Sequence, residues 1–544
     1  MPAPDHFRIV DRAAIRRPLA TAALALALVL GAGTGLRASS EPSLAVFSPF
    51  LQALAAEASQ DEGIAAWYRQ TGYRPVWTSA ADAARREALF SSLAAAADHG
   101  LPAARYDAGG LRAAFAAAVT EADLARLEVA MTRAYLTWAR DLTSGMLDPK
   151  TIDQTIVRAI ERPDPLALMA AVAGDNPEGA MAALLPKSNA YAQLMMAKFA
   201  LEEAMATGGW GNPVPGGGAI GPGQSGQRVV ALRDRLIAMG YLAPTATRDY
   251  DRSIEAAVMA VQSAHGLGAD GIANAATLAE INTPPEERLK SVIVAMERER
   301  WMDIDRSGRI VWVNLPDMTA KIIDDGQVTL RTRSVIGRED MDRRTPEFSD
   351  VMEHMVVNPS WGVPRSITVK EYLPLLQRNR NAVSYLQVVD SNGRVVPRGA
   401  VNFAAYSAKT FPFSLRQPPS DGNALGKVKF MFPNPYNIYL HDTPAKALFA
   451  QDRRAYSHGC IRLADPFDFA HALLSVQSTA VEEEFNGYLK TGQESAVKFL
   501  QTIPVHLVYF TAYPEGRGRI AYRKDVYGRD AMIWQALADA GVAL

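Results

Sequence analysis

The sequence predicts a multidomain α+β protein with a helical N-terminal region, a small three-helix module and a β-rich C-terminal domain interrupted by an insertion. Three observations carry this reading. From about residue 45 to 206 the chain is rich in Ala and Leu, and segments such as 83–97 and 121–142 repeat apolar residues at three-four spacing, the period of helices. Residues 208–226 (GGWGNPVPGGGAIGPGQSG) are dominated by Gly and Pro and mark a boundary. From Arg309 the period changes to β-branched and aromatic runs bounded by turn residues.

The length of 544 residues is enough for three or four domains at roughly 150 residues each. Hydrophobic residues make up 48% and charged residues 21%, an ordinary balance for a globular protein, and it excludes a wholly disordered chain. The 57 Lys and Arg against 58 Asp and Glu leave a net charge of −1. Such a chain has no global basic field to hold nucleic acid or an anionic membrane. One cysteine, Cys460, rules out a disulfide framework or a multi-thiolate metal site within one chain. The eight histidines contain no HExxH pair, so a zinc-protease reading has no support.

Arg8, Arg12, Arg16 and Arg17 precede an apolar run at 19–30 (LATAALALALVL), followed by the small residues of 31–38 (GAGTGLRA). That order is the order of a secretory signal. The apolar core is short against the roughly 20 residues that span a bilayer, although the Gly/Ala stretch lengthens it. Residues 1–38 are therefore expected to act as a cleaved signal peptide or an N-terminal anchor, and the mature protein to work in the periplasm or cell envelope.

The helical region, 45–206, is broken by HGLPAARYD (99–107) and SGMLDP (144–149). Residues 207–226 read as a flexible linker. In the compact unit 227–284, Val229, Leu232, Leu236 and Met239 share a helical face, and Ile254, Val258 and Val261 share a second. The β-rich domain is expected over 290–512, with RIVWVNLP, VTLRTRSVIG, HMVVNPSW, KVKFMFPNPYNIYL and PVHLVYF as strands. A polar segment of about 365–420 interrupts them, helical in its first half. Residues 513–544 read as a C-terminal extension with a turn and a terminal helix.

The chemistry is concentrated in 439–463, YLHDTPAKALFAQDRRAYSHGCIRL. Cys460 follows a strand in SHGC, with His441 lying 19 residues ahead of it. A thiol near its ordinary pKa of about 8.5 is only a few per cent thiolate at neutral pH. A nearby imidazole can raise that fraction and later return the proton to a leaving amine. Gly459 lets the chain turn closely, so backbone N–H groups near Gly459 and Cys460 can hold a developing oxyanion. A buried structural thiol is the bland alternative. A turn flanked by His, Arg and Asp is a poor apolar pocket for one.

Two resemblances follow from these residues. LxxxGYL, HGLxxDG and the closing ATLAxIN resemble the three-helix peptidoglycan-binding module of wall hydrolases, with departures at Val261 and at Asn274, where Gly is usual and Asn tolerates a left-handed turn. HDTP followed by SHGCIRL, together with LGxxKFxFPN, NPSW and TPEF, resembles the active-site signature of the L,D-transpeptidases of the YkuD fold. YRPVW (73–77) and HGLPAARY resemble the helical scaffold domain of the larger YcbB-type members. The resemblance thus implies a helical scaffold domain, a peptidoglycan-binding-like module and a YkuD-like catalytic domain with a capping insertion.

It implies Cys460 as nucleophile and His441 as general acid/base. Asp442 stands where the family orients the imidazole through its backbone carbonyl, and it is placed with the substrate-binding residues. Ser457, His458 and Gly459 form the site loop. Arg462 either grips a substrate carboxylate or holds that loop. Tyr439, two residues before His441, either faces the pocket or the core. His354 and His471 read as structural. The implied reaction is a 3→3 cross-link between diaminopimelate residues of peptidoglycan through a Cys460 thioester, with release of D-Ala and no cofactor. A carbapenem, whose strained carbonyl resembles the donor's, is an expected inhibitor. The expected partners are a donor tetrapeptide and an acceptor stem, with wall-synthesis or envelope proteins as further partners. The alternatives are attachment of envelope proteins by the same chemistry, a cysteine wall hydrolase, and a silent wall-binding scaffold. Papain-like and NlpC/P60 hydrolases place the cysteine before the histidine, the reverse of this order.

Overall fold

The computed structural model describes residues 48–544 apart from Asp303, Asp305 and Arg517. The expected signal or anchor at 1–38 lies outside the described residues.

The helical region starts from local signals. Thr120 and Asp123 form a reciprocal capping box that opens the long helix Glu121–Ser144. Its apolar face, with Val129, Tyr135, Trp138 and Leu142, packs with Leu54, Tyr68, Trp77, Leu89 and Leu168 into one core. The helix Asn189–Ala206 belongs to a second core, with Val292 and Met296 of helix Pro285–Arg300 and Ile533 and Leu537 of helix Arg529–Asp539. Residues beyond 513 are therefore built into the body of the protein rather than trailing from it.

In the module, helices Gln227–Ala238, Arg252–Ala264 and Ala275–Asn282 close over Leu232, Leu236, Ile254, Val258, Val261 and Ile281. Asn274 does not use the left-handed conformation that Asn tolerates: its φ is −75°, and its side chain accepts from the Thr277 N–H as a helix cap. The Gly/Pro segment 207–226 also differs from a flexible linker. Val214 and Ile220 are buried in the module core. The Val214 N–H donates to Asn282 Oδ1 at 2.8 Å, and Ile220 exchanges backbone bonds with Ala273. Two apolar side chains in a Gly/Pro-rich stretch are enough to pin it where backbone partners are at hand.

The catalytic candidate domain is a nine-stranded sheet. Its strands are β1 (Arg309–Asn314), β2 (Thr319–Asp324), β3 (Gln327–Gly337), β4 (Phe348–Val357), and, after the insertion, β9 (Val428–Met431), β10 (Leu440–His441), β11 (Ala455–Ser457), β12 (Ile461–Leu463) and β13 (Ser495–Val508). The order is β11-β3-β12-β10-β9-β4-β13-β1-β2, and a further β2–β3 pairing curls the sheet closed. Val311, Ile336, Met355, Phe430, Leu440, Ile461, Leu463, Phe469 and Leu507 form its buried core.

The insertion folds as a unit of its own. Its strands β5 (Trp361–Gly362), β6 (Gln387–Val389), β7 (Val395–Val396) and β8 (Ser414–Gln417) pair in the order β5-β8-β6-β7. Val363, Leu373, Leu376, Val388, Phe403, Phe411 and Leu415 make a separate core.

Three segments distant in sequence meet behind the turn that carries Cys460. Glu347, just ahead of β4, pairs in parallel with Ile156 of the helical region, the Val157 N–H donating to Glu347 O at 2.7 Å. Arg529, with no exposed surface, donates to Thr155 Oγ1 at 2.6 Å, to the Thr345 carbonyl at 3.0 Å and to Glu347 Oε1 at 3.1 Å. Burying a guanidinium is tolerable only where such partners satisfy it.

Candidate active site

Strand register assembles the site. β10 runs parallel to β12, with Leu440 opposite Ile461 and His441 opposite Arg462. On its other edge it runs antiparallel to β9, with His441 opposite Lys429. Side chains alternate along each strand. Leu440, Phe430 and Ile461 therefore enter the core, while Lys429, His441 and Arg462 form one row on the opposite face. One step back, the Ile461 N–H donates to Tyr439 O at 3.1 Å, which places Tyr439 and Cys460 next to that row.

Tyr439 faces the pocket, not the core. Its ring meets His441 edge-on, with centroids 5.6 Å apart. Burial, followed by the charge and hydrogen bond of Cys460, holds its phenol well above the ordinary range, while a hydrogen bond from Trp361 acts the other way. Trp361 in turn meets Tyr372 edge-on at 6.5 Å, so the insertion supplies part of the site's wall.

The turn before Cys460 is tightly specified. Ser457 is buried, and its Oγ donates to the Cys460 carbonyl at 2.5 Å while accepting the Gly459 N–H at 3.1 Å. Thr345 Oγ1 donates to the Gly459 carbonyl at 2.7 Å. Gly459 has φ +116°, and a Cβ there would sit 3.1 Å from Ile438 Cδ1, so a side chain would be strained. These bonds narrow the expected oxyanion site. The Gly459 N–H is already engaged, whereas the Cys460 N–H has no acceptor among the described residues.

Asp442 acts through its backbone. His441 Nδ1 lies 2.5 Å from the Asp442 carbonyl, which can only accept, so Nδ1 carries the proton and Nε2 keeps the lone pair. The carboxylate instead accepts from the Lys427 and Thr443 N–H groups and from Lys446 Nζ. Gly426 permits this, because a Cβ there would lie 2.2 Å from Asp442 Oδ2. This corrects the expectation that Asp442 is among the substrate-binding residues: its side chain is spent on holding the turn.

His458 also turns away from the thiol. Its Nε2 is 2.8 Å from Glu371 Oε1, and the same oxygen accepts from Arg343 Nη2 at 2.9 Å. Glu371 lies on a wide helical turn of the insertion, Thr368–Tyr372. Glu371 and His458 thus fasten the insertion to the catalytic turn. Replacing Glu371 by Gln or His458 by Ser is expected to slow acylation about tenfold, worth about 1.4 kcal/mol. Because the His458–Glu371 contact is broken or weakened either way, the double variant should be no worse than Glu371→Gln, which also weakens the Arg343 pair. Additive losses in acylation rate would show two independent roles.

Burial pushes the Cys460 thiol up to about 11, against the opposing pull of Tyr439, Arg462 and Lys429. Burial, joined by the positive charge of Arg462, pushes His441 down to about 3. The resting pair is therefore a thiol and a neutral imidazole, not an ion pair. Alkylation of the free enzyme by iodoacetamide should climb steadily as the solution becomes alkaline. A plateau beginning at about pH 5 would instead mark a preformed thiolate.

His354 lies on β4 opposite Met431, two pairs along from the Val356–Lys429 pair, and His471 packs edge-on against Phe485. Sequence reasoning missed Lys429, Trp361 and Glu371. Alternation in VKFM gives Lys429 its face, but only the register puts it beside His441.

Comparison with known families agrees with this geometry. Residues 308–482 match the L,D-transpeptidase catalytic domain of the YkuD family, 225–281 match a domain described as "Putative peptidoglycan binding domain", and 62–197 match a scaffold domain. The chain therefore carries a YkuD L,D-transpeptidase catalytic domain, a peptidoglycan-binding domain and a scaffold domain. It is similar to a Haemophilus influenzae protein named "Putative L,D-transpeptidase", with 31% identity over 242 residues, or 44% of this chain and 48% of that relative. The match thus spans about half the length of the relative. A crystal structure of an L,D-transpeptidase from Xylanimonas cellulosilytica aligns at 16% identity over 54% of this chain and 98% of that one, with a TM-score of 0.17, too low to bear on the fold.

Proposed function

We propose that this protein is an exported peptidoglycan L,D-transpeptidase that forms 3→3 cross-links through a thioester on Cys460. The observation that carries the reading is the strand register, which pairs His441 with Arg462 and so sets Cys460, two residues before Arg462, along the same face, while the Asp442 carbonyl fixes His441 Nδ1 and leaves Nε2 to take a proton.

In the first half-reaction, Cys460 Sγ attacks the carbonyl of diaminopimelate in a donor tetrapeptide as its proton passes to His441. The S–C bond forms, and the oxyanion meets the Cys460 N–H. The C–N bond to D-Ala then breaks, and His441 returns the proton to the leaving amine. In the second half, the side-chain amine of another stem attacks the thioester and loses a proton to His441; the C–S bond breaks and the thiol is restored. A neutral imidazole suits both steps, since it must accept a proton before it can donate one. The insertion, with Trp361 and Tyr372 against the site, limits water so that the amine resolves the thioester.

The peptidoglycan-binding domain fits a polymeric wall substrate held near the catalytic face. The residue order at 1–38 supports export. Incubation of the whole chain with disaccharide-tetrapeptides should yield 3→3 dimers and free D-Ala, with the intermediate seen by intact mass as an acyl adduct on Cys460. A carbapenem should leave its own adduct there. Hydrolysed tripeptide with no dimer would make the protein a wall hydrolase.

A further inference from the structure

Among the described residues, the row across the sheet face holds two cations without a hydrogen-bonded carboxylate. Arg462 is opposite His441 on one side and Lys429 on the other. Among the described residues Arg462 makes no ion pair, and its Nε is buried without a partner. It therefore does not hold the loop, one of the two roles open to it from sequence. Lys429 likewise has no hydrogen-bonded carboxylate among the described residues. The acid that acts on it, Glu494, is engaged by the Ser360 N–H. Arg462 is half-buried, and even a partly desolvated guanidinium without a counter-charge carries a cost that a ligand carboxylate would relieve.

Building on the proposed function, we infer that Arg462 and Lys429 form a carboxylate subsite for an α-amino acid whose nitrogen lies at His441. The chemistry of the substrates fixes this placement. His441 must reach the nitrogen that leaves, and the carboxylate of D-Ala is two bonds from that nitrogen. The two neighbours of His441 across the strands are the groups within reach of it. In the second half-reaction the attacking amine belongs to the D-centre of diaminopimelate, which also carries a carboxylate on the adjacent carbon. One subsite thus reads the leaving group and then the acceptor. Such a subsite accounts for the tetrapeptide donor that the resemblance implies, because a longer stem places a neutral amide there.

The test uses the whole chain and two synthetic tetrapeptide donors, one ending in D-Ala and one in D-alaninamide. The rate of adduct formation on Cys460 is followed by intact mass. The wild type should acylate from the acid at least tenfold faster than from the amide. Arg462→Gln and Lys429→Met should slow the acid donor far more than the amide donor, so that the preference collapses toward one whatever the variants do to both rates through the thiol. Alkylation of Cys460 by iodoacetamide confirms that each variant keeps its site. Equal rates for acid and amide in the wild type, or an undiminished preference in both variants, would overturn the subsite while leaving the transpeptidase reading intact. No adduct from either donor on a wild-type chain that still alkylates would overturn both.

Discussion

Cys460→Ala should yield a folded chain that releases no D-Ala, forms no dimer and takes up no carbapenem. Cys460 is the only cysteine, so no second thiol can carry the acyl group. The fold should tolerate the change, because the turn is held by groups other than the sulfur. Ser457 Oγ binds the Cys460 carbonyl and Thr345 Oγ1 binds that of Gly459, both through backbone atoms that Ala keeps. The sulfur's own contacts, its weak thiol bond to the Asn437 carbonyl at 3.5 Å and its hydrogen bonding with Tyr439, add little to the turn. Unfolding should therefore occur at nearly the wild-type temperature. Cross-linking that persists in the purified variant would remove Cys460 from the mechanism.

His441→Ala should remove nearly all turnover, about 10² to 10⁴ in rate, the usual worth of general acid–base help. The expected loss is at the upper end because the thiol is held near 11 by burial. Without a proton acceptor it is almost wholly protonated at neutral pH. The loss should shrink as the medium becomes alkaline, since hydroxide then generates the thiolate that His441 no longer assists. His458→Ser should lose only about tenfold, by a similar factor at every pH, because His458 serves the insertion through Glu371. If His458→Ser is dead and His441→Ala is active, the two roles must be exchanged.

The division between legible and hidden features follows sequence distance. The helices and strands were legible because their periods are local. The catalytic turn was legible because SHGCIRL is contiguous and HDTP lies only one strand away. Lys429, Glu371 and Arg529 were not, since each joins the site through pairing or docking across long stretches of chain. The oxyanion donors were half legible: a Gly at the turn suggested them, but the competing Ser457 hydroxyl could be weighed only once its rotamer was fixed. Asn274 and Val214 failed for a different reason. Each residue type has two common uses, left-handed turn or cap for Asn and linker or core for an isolated Val, and only neighbours decide between them.

Arg529 and β13 bear on where this protein can be cut. The matched catalytic region ends at residue 482, yet β13 lies between β4 and β1 in the middle of the sheet, and Arg529 grips the carbonyl of Thr345. A fragment trimmed to the matched boundaries would expose two bare strand edges, an invitation to aggregate. It would also lose the strut behind Thr345, whose hydroxyl steadies Gly459. Removing the N-terminal helices would strip the backbone partners of Glu347 from the other side. Shuffling this catalytic region onto another protein would thus require carrying its tail and part of its leading helical region along, so the chain is heritable as a block rather than as interchangeable modules.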